Sequence, residues 1–142
     1  LAELSQSEFD QVEHAIVDEV AHRRARHVVG EVQRTKDAVE ALQQGNIEKF
    51  GLLMNQSHIS LRDDYEVTGL HLDTLAEAAW KVDGVLGSRM TGGGFGGCTV
   101  SLVREDAIPM FIEQVGAEYK EKTGLIADFY IAEIGDGAHR VL

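Results

Sequence analysis

In the first part of the chain, the apolar residues recur at steps of three or four, the spacing of one face of an α-helix. The positions that share this spacing are Phe9, Val12, Ile16, Val20, Val28, Val32, Val39 and Leu42. An Arg-rich run at 22–27 interrupts the pattern and is a point at which the stretch could divide into two helices. Ser5 and Glu8 have the spacing of a capping box, which predicts that a helix begins just after Ser5.

Two more helices are predicted between residues 45 and 82. Gly45 suits the left-handed conformation that ends a helix, and Asn46 suits the N-cap of the next one. The inner side of that second helix is predicted to comprise Ile47, Phe50, Leu53, Met54 and Ser57. Asp63-Asp64 predicts its end, and a further helix is expected to start at Thr68 or Asp73 and to run to Val82.

After Val82 the helical spacing gives way to short β-rich runs on either side of a glycine-rich loop. A helix is predicted near 107–122, with Pro109 in its first turn and Gly124 at its end. Residues 127–134 predict a third strand, 135–137 a turn, and 138–142 a short fourth strand. The whole pattern predicts an α+β domain, with helices packed on a small, mostly antiparallel sheet.

Composition and charge narrow the function classes. The chain has 142 residues, the length of one domain, and its net charge of −11 lacks the footprint of a nucleic-acid binder. We expect the basic cluster at 22–27 to be a solvated helix face. No apolar run is long enough to span a membrane, and the single cysteine fits a reducing cytoplasm. The chain begins at Leu1 instead of a methionine, which we interpret as a piece cut from something longer.

The most distinctive feature is the segment 91–97, where five glycines are interrupted only by Phe95. Such a loop exposes successive N–H groups and can form a nest for an anion. A Rossmann loop would be followed by a helix, but Thr99, Val100 and Leu102 favour a strand. The Walker motif and the protein-kinase motifs are also missing. A plain glycine hairpin stays open as the structural alternative, although five glycines exceed what a turn requires.

Residues 87–100, Gly-Ser-Arg-Met-Thr-Gly-Gly-Gly-Phe-Gly-Gly-Cys-Thr-Val, resemble the third, C-terminal signature motif of the galactokinases, a family of GHMP small-molecule kinases. Segments similar to the same family occur, in the family's order, at 24–34, 57–67, 72–75 and 129–138. Together they cover most of the chain. His71 is a small departure, since an acidic residue is more usual there.

This resemblance implies a two-domain enzyme that transfers the γ-phosphate of ATP to the C1 hydroxyl of α-D-galactose. Residues 1–142 are similar to its ferredoxin-like C-terminal domain alone, and none of the N-terminal sugar, phosphate-loop or catalytic motifs occurs in them. The resemblance therefore implies no catalytic residue and no metal ligand here, with ATP and Mg²⁺ bound mainly by the N-terminal domain. The piece by itself is expected to be inactive, and its exposed interdomain surface could allow a dimer. N-Acetylgalactosamine kinase and a non-catalytic sugar-sensing regulator remain alternatives.

Within such an enzyme, the glycine motif is implied to line the phosphate side of the nucleotide cleft. The residues assigned to it are Ser88, Arg89, Thr91, Gly92, Gly93, Gly94, Gly96 and Gly97. For Arg89 a salt bridge to a helix acid is slightly favoured over a phosphate contact. Phe95 is expected to plug the interdomain core, and Cys98 to be a small buried strand residue. Asp63, Asp64 and His58 are expected to have capping, packing or hydrogen-bonding roles without metal or catalytic chemistry.

Overall fold

The computed structural model describes residues 1–133, 135, 137 and 140. Within them the chain forms five α-helices and one two-stranded antiparallel sheet. The helices are α1 (Gln6–Val12), α2 (Glu19–Gln43), α3 (Ile47–Asp63), α4 (Leu70–Ala79) and α5 (Ile108–Thr123), and the strands are β1 (Val85–Thr91) and β2 (Cys98–Val103). Short 3₁₀ turns at Glu13–Ala15 and Glu105–Ala107 precede α2 and α5. The α+β prediction is confirmed.

Several helix ends follow the local chemistry that predicted them. The Ser5 N–H donates to Glu8 Oε2 at 2.8 Å while the Glu8 N–H donates to Ser5 Oγ at 3.3 Å, which completes the capping box of α1. The Asn46 side chain accepts from the Lys49 N–H at 2.9 Å and caps α3. Gly124 ends α5 in the left-handed conformation at φ 73°. These three predictions are confirmed.

Two helix boundaries differ from the prediction. The first helical stretch divides at 13–18, upstream of the Arg-rich run, because the Asp18 side chain accepts from the Ala21 N–H at 2.7 Å and starts a new helix. α4 begins at Leu70 after Gly69, instead of at Thr68 or Asp73, and ends at Ala79. Gly69 takes the N-cap position with a φ of 82°, and Thr68 is buried one residue before it.

The apolar stripe predicted along α2 is displaced from the face that is actually buried. α2 buries Ala25, His27, Val29 and Ala41, whereas Val20, Val39 and Leu42 are about half exposed. Ala25 and Val29 pack with Phe9 of α1, and Ile16 lies against the same cluster. Of the larger apolar residues on α2, Val29 is buried, whereas Val20, Val39 and Leu42 lie toward the outer side of the helix.

The sheet is held against α3 by a contact between two glycines. β1 pairs with β2 in the register Ser88↔Ser101, Met90↔Thr99 and Thr91↔Cys98. A Cβ placed at Gly51 of α3 would overlap the carbonyl of Leu86, and one placed at Gly87 would overlap the backbone of Gly51. Helix and strand therefore touch main chain to main chain, which fixes the position of β1 on α3.

The third strand predicted at 127–134 is wrong for the residues that the structure describes. Residues 127–133 are not paired as a strand, and Ile134 lies outside the described residues. Phe129 packs edge-on against Phe111 of α5, with ring centroids 5.9 Å apart, so the segment follows α5 and borders a cavity of about 1180 Å³ beside β2. The predicted turn at 135–137 and fourth strand at 138–142 fall largely on residues outside the described set.

Candidate functional site

The glycine-rich segment forms the tight loop between β1 and β2. Its backbone takes positive φ angles at Gly92 (78°), Gly94 (83°), Phe95 (56°) and Gly96 (92°). Thr91 and Cys98 pair at its base, and every residue between them is exposed except Gly94, which is half-buried. The loop therefore projects from the end of the sheet with its main chain uncovered, which confirms the predicted strand–loop–strand setting.

One point of the loop is fixed to the rest of the fold. The Phe95 N–H donates to the carbonyl of Val67, in the connection between α3 and α4, at 2.8 Å. A Cβ at Gly94 would overlap that same carbonyl oxygen. Gly94 is thus required twice, once for its φ of 83° and once for the close approach of Val67.

The remaining loop amides are free donors. Within the described part of the chain, none of the five glycine N–H groups between Gly92 and Gly97 donates to a backbone carbonyl as the Phe95 N–H does. A Cβ at Gly92 or Gly93 would meet nothing within 4 Å, so the approach to this backbone is open. Unpaired amides on both sides of Phe95, in a loop with several left-handed residues, are suited to hold the oxygens of a phosphate.

β1 carries two of the predicted site residues, and both are engaged within the domain. Ser88 is fully buried, and its hydroxyl lies 2.8 Å from the hydroxyl of Ser101 on β2. Its N–H donates to Asn55 Oδ1 of α3 at 2.8 Å, and its carbonyl accepts from Trp80 Nε1 at 3.0 Å. The structure therefore places Ser88 beneath the loop, as part of its support, and not at its surface.

Arg89 faces a polar cluster on α2 and α3. Its Nη1 lies 3.6 Å from Glu31 Oε1, which is the helix-acid salt bridge that the sequence favoured. Glu31 also accepts from Ser57 Oγ at 2.5 Å and from Arg34 Nε at 2.9 Å. Burial opposes ionisation of Glu31, but the Ser57 hydroxyl and Arg34 outweigh it and hold the pKa of this carboxyl below its usual value.

His58 closes the free edge of β1 and was recognised in the sequence only as a packing or hydrogen-bonding residue, which the structure confirms. It is fully buried, and its Nδ1 accepts from the Met90 N–H at 3.0 Å. Nε2 must then carry the ring proton, which it donates to Asp73 Oδ1 at 3.2 Å. Burial lowers the pKa of His58, although Asp73 opposes that shift.

Two expectations about single residues are wrong, and one stays a prediction. Cys98 is exposed, and it lies at the end of β2 where the strand meets the glycine loop. The basic cluster at 22–27 is not simply a solvated face, since His27 is buried and Arg24 pairs with Glu66 at 2.6 Å. Phe95 is 82% exposed, so its predicted role as an interdomain plug is still a prediction.

The acidic residues that could suggest a metal site have other partners. Among the described residues, no group of three or more His, Cys, Asp or Glu side chains has the arrangement of a metal site. Asp63 instead pairs with Arg62 at 2.8 Å, and Asp64 caps α3. No helix in the part of the chain that the structure describes combines the length and the apolar character needed to cross a membrane.

An uncovered glycine loop with unpaired amides at the end of a sheet has the backbone geometry of an anion-binding nest. A family model described as "GHMP kinases C terminal" matches residues 38–121, and the chain belongs to this family. Relatives named galactokinase, from Fusobacterium nucleatum and Clostridium beijerinckii, are 61% and 53% identical over 141 residues. That alignment covers 99% of this chain and 36% of each relative, so the chain spans about a third of their length.

A solved structure gives the same result for the fold. The crystal structure of Lactococcus lactis galactokinase complexed with galactose matches with a TM-score of 0.92 and 56% sequence identity. The match covers 96% of this chain and 35% of that one. The GHMP C-terminal fold expected from the sequence, with helices on a small antiparallel sheet, is thereby confirmed.

Proposed function

We propose that residues 1–142 form the C-terminal domain of a galactokinase, a cytoplasmic enzyme that transfers the γ-phosphate of ATP to the C1 hydroxyl of α-D-galactose. The observation that carries the proposal is the identity of 53–61% with galactokinases along practically the whole chain. A separate N-terminal domain would supply the sugar pocket and the catalytic groups, and would bind most of the ATP and the Mg²⁺.

In this proposal the glycine loop lines the phosphate side of the nucleotide cleft. The exposed amides of Gly92, Gly93, Gly96 and Gly97, with the Thr91 hydroxyl, are available to phosphate oxygens, and the half-buried Gly94 keeps the loop in place. Phosphoryl transfer depends mainly on positioning and on stabilising charge that spreads over these oxygens. Fixed N–H donors serve that purpose without reorganising during the reaction.

Ser88 and Arg89 belong to the same proposed site, where they support the glycine loop. Ser88 sits under the loop in hydrogen bonds to α3, β2 and Trp80, and Arg89 is oriented by Glu31. ATP, when bound, supplies the transferred phosphoryl group. The proposed role of residues 1–142 is to hold the phosphates in position and to exclude water from one side of them.

The exposed apolar residues next to the loop support a covering domain. Phe95 and Leu70 are 82% and 62% exposed, and both border a shallow depression beside Gly96. Exposed apolar patches of this kind mark contact surfaces. In the proposed enzyme the N-terminal domain covers them, and in the piece alone the same surface could support dimerisation.

The test is phosphorylation of a sugar panel by the polypeptide that contains this chain together with its proposed N-terminal domain. ³¹P NMR should show galactose 1-phosphate formed from ATP and galactose, with residues 1–142 alone inactive. Preferential turnover of N-acetylgalactosamine would identify that sugar, instead of galactose, as the substrate. Binding of sugar and ATP without turnover would favour a sensing regulator, and turnover by residues 1–142 alone would contradict the placement of the catalytic groups.

A further inference from the structure

The glycine loop is held by a second loop, which we call the support loop: residues 64–69, between α3 and α4. Its Val67 carbonyl accepts the Phe95 N–H and lies against Gly94. Val67 itself is fixed on the other side, where its N–H donates to the Leu61 carbonyl at 3.1 Å. The position of the glycine loop therefore depends on the backbone conformation of the support loop.

That conformation is unfavourable in isolation. Glu66, immediately before Val67, has a φ of 56°, a left-handed conformation that is uncommon for residues other than glycine. A backbone of this kind persists only where its surroundings hold it. Contacts that fix Glu66 consequently also fix the direction of the Val67 carbonyl.

Arg24 supplies most of those contacts from α2, and Arg23 Nη2 adds one, 3.2 Å from Glu66 Oε2. Arg24 Nη1 donates to the carbonyl of Asp64, and its Nη2 donates to Glu66 Oε2 at 2.6 Å. Its guanidinium also lies 5.7 Å from the centre of the Tyr65 ring. One planar side chain thus grips three consecutive residues of the support loop, a geometry that a lysine cannot reproduce.

We propose that Arg24 is a positioning residue for the glycine loop, acting through Glu66 and the Val67 carbonyl on the Phe95 N–H. The proposal rests on the proposed function only for its consequence, the binding of nucleotide phosphates. Its structural part concerns contacts within residues 1–142 alone.

A neighbouring arginine provides a matched control. Arg26 lies on the same helix and is 3.8 Å from Asp64 Oδ1, but it makes no fork to the support-loop backbone among the described residues, and its side chain is 49% exposed. Arg26→Lys therefore preserves charge in the same way as Arg24→Lys while leaving the grip intact. A general loss of α2–α3 contact would affect both variants, whereas the proposed role affects only one.

The experiment compares Arg24→Lys and Arg26→Lys in the polypeptide with both domains. In Arg24→Lys, hydrogen exchange of the Phe95 amide should be about tenfold faster or more, while amides inside α2 and α3 keep their protection. The KM for ATP should rise about fivefold or more, and the KM for galactose should stay within about twofold. Arg26→Lys should match the unmodified protein in all these measurements.

A double-mutant cycle with Glu66→Gln tests the route. If Arg24 acts through Glu66, the effect of Arg24→Lys on Phe95 exchange should shrink in the Glu66→Gln background. Strictly additive effects would overturn the proposal, as would unchanged Phe95 exchange, or faster exchange with an unchanged KM for ATP in an active enzyme. Exchange is measured without substrate, so a protein that fails to phosphorylate galactose refutes the proposed function while the exchange data still decide the role of Arg24.

Discussion

Replacing Gly94 with alanine tests whether the geometry of the glycine loop matters for function. The added Cβ would overlap the Val67 carbonyl oxygen, and the backbone must keep a φ of 83°. A left-handed residue with a side chain costs about 1–2 kcal/mol, and losing the Phe95–Val67 hydrogen bond costs about 0.5–1.5 kcal/mol. Together these effects come to about 1.5–3.5 kcal/mol, so the supported conformation becomes about 10 to 400 times less populated.

The loop is exposed, so this energy should appear in function and local exchange more than in global unfolding. We expect kcat/KM for ATP to fall at least about tenfold in the two-domain protein. Phe95 amide exchange should accelerate by a similar factor, with little change in the urea midpoint. Gly93→Ala is the matched control, because its φ is not left-handed and a Cβ there meets nothing within 4 Å; it should leave Phe95 exchange unchanged. If the Phe95 amide exchanges at the same rate in Gly94→Ala as in Gly93→Ala, the reasoning is refuted.

Three further predictions concern stability. Gly51→Ala should destabilise the fold by about 1–3 kcal/mol, since the new Cβ overlaps the backbone of β1. Leu52→Ala, at an exposed neighbour, should change the free energy of unfolding in urea by less than about 0.5 kcal/mol. Equal effects of the two substitutions would contradict the close approach. Trp80→Phe should cost about 1–3 kcal/mol in urea unfolding, because the β1 carbonyl that accepts from Nε1 loses its donor; an unchanged midpoint would argue against that bond. Burial lowers the pKa of His58 and His27 below 6.5. As the pH falls, these two side chains are therefore protonated in the unfolded chain before they are protonated in the folded one. Stability should therefore be complete above about pH 6.5 and decline as the pH falls toward the lower folded-state pKa; a flat urea midpoint from about pH 7.5 to about pH 5.5 would exclude this linkage.

Features set by neighbouring residues were predictable from the sequence. The capping box at Ser5, the N-cap at Asn46 and the helix end at Gly124 each depend on groups within a few positions along the chain. The glycine loop between two strands was predictable for the same reason. β-branched residues follow it directly and favour a strand over the helix that a dinucleotide site would require.

Features set by distant residues were not predictable in the same way. Residues 127–133 have the composition of a strand, but packing of Phe129 on Phe111 takes them along α5. The support of the glycine loop joins Phe95 to Val67, and Val67 in turn depends on Arg24, far upstream. No local spacing signals such a connection. The one sequence feature that involves Arg24 is the basic cluster at 22–27, and its composition predicted a solvated helix face.

The most direct test of the central claim is protection of the loop amides by nucleotide. Hydrogen exchange of residues 91–97 should be measured in the two-domain protein with ATP, with adenosine and with galactose alone. If the loop holds the phosphates, ATP should slow exchange across these amides while adenosine and galactose leave it close to that of the free protein. Equal protection by adenosine, or no protection by saturating ATP, would contradict the assignment of the glycine loop to the phosphate side of the cleft.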